Sequence, residues 1–159
     1  SMPHLFAEPY EFRHDEALHL LEARRGRGKS YSLTWFVWQA VRLRKPVWMN
    51  FTVDLYRLAV QAKLHGLFPT VGEAMAWVRE NVRMLRTWDD LLVTYDGFVL
   101  LDEAARTFDS RQRSRIPQVV LEWSQLSRRS KLTIYLASQS FDWLDVRLRQ
   151  LADTLWMVR

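Results

Sequence analysis

Short apolar runs alternate with longer helical patterns along the chain. Each run is short enough for a buried strand, and several contain the β-branched or aromatic residues that favour strands. The runs cover Ala17 to Glu22, Val47 to Val53, Phe98 to Leu101, Leu132 to Ala137 and Thr154 to Val158. They predict a mainly parallel sheet of about five strands.

Helical patterns fill the intervals between these runs. The predicted helices cover 30–44, a stretch from the Asp54 cap to Gly66, a stretch from the Thr70 and Glu73 capping box to about Leu85, a stretch opened by Pro117, and about 142–152. Strands that alternate with helices predict a three-layer α/β domain, which binds ligands at the carboxyl ends of its strands. Without repeats or flexible linkers, residues 1–159 are predicted to form one domain.

Composition narrows the function classes. The chain has 159 residues, no cysteine and a formal net charge of +5. The missing cysteines exclude disulfides, thiolate zinc sites and cysteine nucleophiles, and the scattered histidines have no metal-ligand spacing. The positive charge favours polyanionic partners such as nucleic acid. Without a signal peptide or a bilayer-spanning run, a cytoplasmic location is expected, and Ser1 before Met2 is interpreted as a remnant of tag removal.

A pattern typical of a phosphate-binding loop follows the first predicted strand. The residues are Ala23, Arg24, Arg25, Gly26, Arg27, Gly28, Lys29 and Ser30, followed by Tyr31, with Ala23 in place of the usual first glycine. Backbone N–H groups of such a loop and of the following helix bind phosphate oxygens. Lys29 is expected to reach the β- and γ-phosphates, and the Ser30 hydroxyl is expected to bind Mg²⁺. The alternative is an ordinary glycine-containing turn between a strand and a helix.

An acidic pair ends the most apolar of the predicted strands. Asp102 and Glu103 directly follow Phe98 to Leu101, which is a Walker B pattern with an added glutamate. Asp102 is expected to hold Mg²⁺ directly or through a water, and Glu103 is expected to polarise the water that attacks the γ-phosphate. A GTPase switch protein or a nucleotide kinase does not need this glutamate. The pair therefore favours an ATPase over those classes.

A polar pair, Ser138 and Gln139, follows the fourth predicted strand. If that strand lies between the phosphate loop and the acidic strand, the Gln139 amide can hydrogen-bond the γ-phosphate or the attacking water. This predicts a sensor role for Gln139. The alternative is a cap for the next helix.

The order of these motifs resembles the FtsK–HerA branch of P-loop ATPases, and most closely the zonular occludens toxin (Zot) family, which includes filamentous-phage assembly ATPases. The resemblance runs from about Ala17 to Arg159. Further matching positions are Phe108, Arg111, Ile116, Pro117, Arg128, Ser138, Gln139, Asp145, Arg149 and Leu151, and departures from the family pattern are Ala23, Ser138 and Lys131. The phosphate loop, from Arg25 to Tyr31, also resembles that of small viral genome-packaging ATPases.

The resemblance implies a P-loop NTPase fold of the RecA-like (ASCE) type and a motor that uses ATP and Mg²⁺. Such a motor forms a ring, a hexamer or a pentamer, and translocates, packages or exports DNA in phage or virus assembly. It also implies that the native chain continues past residue 159 and is anchored at the inner membrane. The arginine that acts on a neighbouring subunit's nucleotide is expected to be Arg128, with Arg106, Arg111 and Arg129 as alternatives.

A second basic cluster follows the acidic strand. Arg111, Arg113 and Arg115 are candidates for contacts with DNA phosphates, and a solvated surface loop is the ordinary alternative. Two other function classes stay open at this point. One is a scaffold that binds nucleotide without turnover, and the other is a small-molecule kinase, for which the sequence shows no lid.

Overall fold

The computed structural model describes residues 18–23, 29–93, 96–105, 111, 114–122, 131–140, 142 and 146–158. The strands are β1 (Leu18–Ala23), β2 (Val47–Met49), β3 (Val82–Met84), β4 (Phe98–Asp102), β5 (Thr133–Ser138) and β6 (Thr154–Val158). The α-helices are α1 (Lys29–Arg42), α2 (Leu55–Leu64), α3 (Val71–Asn81), α4 (116–122) and α5 (Val146–Leu151), and a 3₁₀ helix covers Trp88–Val93.

These six strands form one sheet in the order β3-β2-β4-β5-β1-β6, and every neighbouring pair is parallel. The predicted α/β architecture is therefore confirmed, with one strand more than the apolar runs indicated. Within the described ranges, no helix is both long and apolar enough to cross a membrane.

The additional strand is β3, which replaces the end of a predicted helix. The helical pattern that starts at Thr70 was expected to continue to about Leu85, but α3 ends at Asn81. Val82 has extended backbone angles, φ −104° and ψ 100°, and pairs in register with Val47 of β2. Val82 is 4% exposed, whereas Arg83 beside it is exposed. Pairing with β2 therefore overrides the local helical pattern.

Apolar side chains fill both faces of the sheet. One cluster joins α1, α2 and α3 to the sheet and includes Phe36, Ala62, Val78 and Tyr135. The other joins the 3₁₀ helix, α4 and α5 to the opposite face. Successive residues of a strand alternate between the two clusters, as the pleat of a sheet requires. This is the predicted three-layer arrangement.

A polar contact lies inside the first cluster, where β1 and β6 meet. The His19 side chain is 1% exposed, and its Nδ1 atom lies 2.6 Å from Oγ1 of Thr154. The indole Nε1 of Trp156 donates to the same oxygen at 2.6 Å, and the His19 ring stacks on Tyr135 at 4.6 Å between centroids. Because a shift of one residue would send these side chains to the other face, the contact specifies the register of β6 on β1.

The start of β4 fits closely against the segment that leads into β2. The N–H of Phe98 donates to the carbonyl of Pro46 at 2.9 Å. A Cβ atom on Gly97 would lie 2.4 Å from that carbonyl oxygen and 2.9 Å from the Trp48 ring. Only glycine permits this approach.

We therefore expect Gly97→Ala to lower the free energy of unfolding by about 1–3 kcal/mol, the usual cost of forcing extra atoms into a packed site. Urea unfolding measures the change. Gly72→Ala is the matched control, because a Cβ there meets nothing closer than 3.9 Å. An unchanged stability of Gly97→Ala would show that Pro46 moves without cost.

The 3₁₀ helix before β4 is held by Asp90. Its Oδ2 atom accepts the N–H groups of Arg86 at 2.8 Å and Thr87 at 3.1 Å. The hydrogen bonds from the backbone of Thr87 and of Arg86, together with the Arg86 charge, lower the pKa of Asp90 below its ordinary value.

The lowered pKa predicts that Asp90 stabilises the fold above the pKa of the unfolded chain and loses this effect as the pH falls through the lower folded pKa. Thermal melts between pH 6 and pH 3 should show the melting temperatures of the native protein and Asp90→Asn converging below about pH 4. Asp89→Asn controls for the loss of one charge in the same turn. A constant difference between the native protein and Asp90→Asn would contradict this expectation.

Candidate functional site

The predicted site residues lie along one edge of the sheet, where the parallel strands have their carboxyl ends. Glu22 of β1 is level with Ser138 of β5, and Ala137 of β5 is level with Asp102 of β4. Because β5 lies between β1 and β4, Gln139 follows the central one of these three strand ends. The end of β1 is on one side of Gln139 and the acidic pair is on the other.

The phosphate loop joins the end of β1 to the start of α1. Residues Arg24, Arg25, Gly26, Arg27 and Gly28 lie outside the described residues. On one side of them Ala23, fully buried, ends β1, and on the other side Lys29, Ser30 and Tyr31 form the first turn of the 14-residue helix α1. The first N–H groups of a helix have no partner within it and carry partial positive charge, so this helix start favours phosphate oxygens.

Asp102 ends β4 and is held through its backbone and its side chain. The side chain is 9% exposed. Its N–H donates to Oδ1 of Asn50 at 2.8 Å, and its carbonyl accepts from Nδ2 of Asn50 at 2.9 Å. The Asp102 Oδ1 atom accepts the N–H of Ala104 at 2.9 Å. The carboxylate is therefore fixed in a tight turn directly after the strand.

Glu103 occupies this turn. Its N–H donates to the carbonyl of Ala137 at 3.0 Å, which ties the residue to β5. The side chain is half-buried, and its Oε2 atom is buried. The N–H of Ala105 donates to the carbonyl of Asp102 at 3.0 Å and closes the turn. Asp102 and Glu103 thus start from a rigid backbone.

Gln139 lies in a second turn, which Ser138 organises. The Ser138 side chain is fully buried, and its Oγ atom donates to the carbonyl of Ser140 at 3.0 Å and accepts the Ser140 N–H at 3.3 Å. The N–H of Asp142 donates to Oγ of Ser140 at 3.2 Å. The capping bond to the following segment therefore comes from Ser140. The sensor role of half-buried Gln139 stays a prediction.

Two of the candidate arginines for DNA contact are described, and both are exposed. Arg111 and Arg115 precede α4. The carbonyl of Arg111 accepts the Ser114 hydroxyl at 2.7 Å, and the carbonyl of Arg115 accepts the Val119 N–H at 3.0 Å. The candidates Arg113, Arg128, Arg106 and Arg129, and the family positions Phe108 and Asp145, lie outside the described residues.

The chemistry of the edge fits a magnesium nucleotide. Carboxylate and hydroxyl oxygens are the ligands that Mg²⁺ prefers, and it commonly binds through one or two protein groups together with substrate phosphates. Asp102 supplies such a carboxylate at the edge where α1 begins. In the parts of the chain that the structure covers, no group of three or more His, Cys, Asp or Glu side chains could hold a metal alone. Phosphate oxygens would therefore have to complete the coordination.

The sequence pattern indicated the three strand ends, but it did not indicate Asn50. This residue lies inside the apolar run Val47 to Val53, which was expected to be one strand. The strand stops at Met49, and the fully buried Asn50 side chain turns to the Asp102 backbone. One amide inside an apolar run was the available signal.

Comparisons with known proteins agree with this arrangement. Residues 17–158 match the family model described as zonular occludens toxin (Zot). No curated protein matches the sequence significantly.

Among solved structures, the chain is similar to the KaiC-like protein PH0186 from the hyperthermophilic archaeon Pyrococcus horikoshii OT3. The identity is 14%, the match covers 90% of this chain and 71% of that chain, and the TM-score is 0.55. It is also similar to a second solved ATPase domain, with 16% identity, coverage of 98% of this chain and 73% of that chain, and a TM-score of 0.56. These likenesses show a RecA-like P-loop fold, and with the match over nearly the whole sequence they establish that the chain belongs to the Zot family of P-loop ATPases.

Proposed function

We propose that this chain is the ATP-hydrolysing motor domain of a ring that translocates, packages or exports DNA during phage or virus assembly. The observation that carries the proposal is the edge of the sheet. There the start of α1 with Lys29 and Ser30, the turn with Asp102 and Glu103, and the Ser138 turn with Gln139 follow the ends of three adjacent strands. Family membership supports the nucleotide chemistry, and the net charge of +5 supports a polyanionic partner.

Each of these residues has a distinct role in the proposed reaction. Lys29 and the backbone N–H groups of the loop bind the phosphates, and Ser30 and Asp102 would hold Mg²⁺, which neutralises charge on the β- and γ-phosphates when bound. Glu103 orients the attacking water and accepts its proton. Gln139 donates a hydrogen bond to the γ-phosphate or to that water. The fixed Asp102 turn keeps these groups in place without reorganisation.

The proposed ring supplies what one subunit lacks. Arg128 is proposed to stabilise charge on the phosphoryl group held by a neighbouring subunit. Arg111, Arg113 and Arg115 are proposed to contact DNA phosphates, and the exposure of Arg111 and Arg115 is consistent with this. Contacts of this kind are independent of sequence and weaken as salt is added.

A steady-state ATPase assay with and without double-stranded DNA tests the motor. We expect DNA to stimulate turnover by the native protein. Lys29→Ala should abolish nucleotide binding, because it removes the cation on the phosphates. Glu103→Gln should keep binding but lower kcat by about 10²- to 10⁴-fold, the usual share of a general base.

The other outcomes of this assay separate the alternatives. ATP binding without turnover in the presence of DNA would indicate a scaffold, and turnover that requires a small hydroxyl acceptor would indicate a kinase. Equal loss of binding in Lys29→Ala and Glu103→Gln would contradict the assigned roles.

Exposed apolar side chains support self-association. Among the described residues, the large apolar side chains that are exposed form two groups. Leu43, Tyr56 and Leu64 form the α2 patch, and Val146, Leu151, Leu155 and Met157 form the β6 patch. Within the α2 patch Tyr56 is 62% exposed and Leu64 is 72% exposed. Concentrated exposed apolar surface of this kind is typical of interaction sites.

The two patches lie at opposite ends of the sheet. The β6 patch borders the terminal strand β6, whereas α2 belongs to the connection between β2 and β3 at the other end. Leu155 and Met157 alternate with Trp156, which packs in the cluster with α1, so they point to the opposite sheet face. Two different patches at opposite ends suit head-to-tail contact between copies, and contacts of this type close into rings.

Head-to-tail contact predicts that blocking either patch stops assembly and that mixing two blocked variants restores one contact. We expect Leu64→Arg alone and Leu155→Arg alone to be monomeric by light scattering, and an equimolar mixture of them to form dimers and nothing larger. Arg79→Ser, an exposed change on α3, should keep the native assembly. Failure of the mixture to dimerise, or native assembly in both variants, would refute this contact.

A further inference from the structure

Asn50 completes a strand ladder that stops too early. In the ladder between β2 and β4, Met49 is level with Leu100, and β2 ends there. The strand β4 continues for two more residues, to Asp102, and on its other side it remains paired with β5. On the β2 side, the backbone groups of Asp102 therefore extend beyond the last paired residue of the neighbouring strand.

The Asn50 side chain takes the place of the missing strand. Its Oδ1 atom accepts the Asp102 N–H at 2.8 Å, and its Nδ2 atom donates to the Asp102 carbonyl at 2.9 Å. One amide thus satisfies both a backbone donor and a backbone acceptor, as a strand neighbour does. The Asn50 residue is 0% exposed, so water does not compete readily for these bonds.

The other side of this strand end is held by β5. The Glu103 N–H donates to the Ala137 carbonyl at 3.0 Å. The peptide groups on both sides of the Asp102 Cα atom are therefore fixed, one by Asn50 and one by Ala137. Removing the Asn50 amide would leave one side held and the other free to shift, and the two carboxylates would move with the backbone.

We propose that Asn50 is a positioning residue that aims Asp102 at the metal and Glu103 at the attacking water. This inference rests on the proposed function. It differs from a purely structural role in one consequence: loss of the amide should weaken the magnesium-dependent part of nucleotide binding and the chemical step, while magnesium-free binding at the phosphate loop stays as it was.

The test compares Asn50→Ala with Asn81→Ala. Asn81, the other asparagine of the chain, donates to the Trp77 carbonyl at 2.9 Å at the end of α3 and is the matched control for loss of an amide. Asn50→Leu is a second variant that keeps the buried volume in case Asn50→Ala does not fold. Fluorescence titration with ADP, in Mg²⁺ and in EDTA, gives the two affinities.

We expect Asn50→Ala to lower the gain in ADP affinity that Mg²⁺ provides, and kcat, by about 10- to 100-fold each, as is usual for residues that orient metal ligands. ADP affinity in EDTA should stay within about twofold of native, because the phosphate loop is untouched. Amide hydrogen exchange of Asp102 should accelerate, whereas exchange in β1 should not change. This last measurement does not depend on turnover.

The outcomes distinguish this inference from the proposed function. A native protein that binds no nucleotide would overturn both. A native protein that hydrolyses ATP, beside an Asn50→Ala variant that behaves as Asn81→Ala does, would overturn the positioning role alone. Equal losses of ADP affinity in Mg²⁺ and in EDTA, accompanied by faster exchange throughout the sheet, would also overturn it, because they would indicate general loss of structure.

Discussion

Backbone hydrogen bonding in a fully parallel sheet is the constraint on which the rest of this structure depends. Helices must cover both faces, so the strands are apolar along their whole length and polar chemistry is confined to their ends. Parallel strands bring their carboxyl ends to one edge. The chain uses that edge for its acidic pair, its Ser138 turn and the start of α1.

Strands of unequal length create a second requirement at this edge. Where one strand outlasts its neighbour, buried N–H and carbonyl groups need new partners, since leaving them unpaired is costly. Asn50 meets this need beside β4, and the Ser138 hydroxyl meets a similar need at the turn after β5. Polar side chains with a structural task therefore lie directly beside the residues with a chemical one. The fold and the site share the same hydrogen bonds.

Local sequence was sufficient to predict most of the fold because the signals there are strong. Phe98 to Leu101 is apolar without interruption, and the start of α1 and the caps at Asp54 and Thr70 have well-defined sequence patterns. The strand β3 could not be predicted in this way, because it has three residues and its extended shape comes from pairing with β2. The early end of β2 was missed for a related reason, since the bonds of Asn50 join residues 52 positions apart.

The position of β1 in the sheet has a consequence for how the chain folds. The strand pairs only with β5 and β6 among the described strands, and its contact with Thr154 spans 135 residues. During synthesis, β1 and the loop after it are made before either neighbour exists, so an apolar strand has to wait with both of its edges unpaired. Contacts over such long separations form slowly, and unpaired edges are prone to aggregation. The nucleotide edge is therefore among the last parts of the protein to form, and early ribosomal intermediates are the state in which this protein most depends on chaperones.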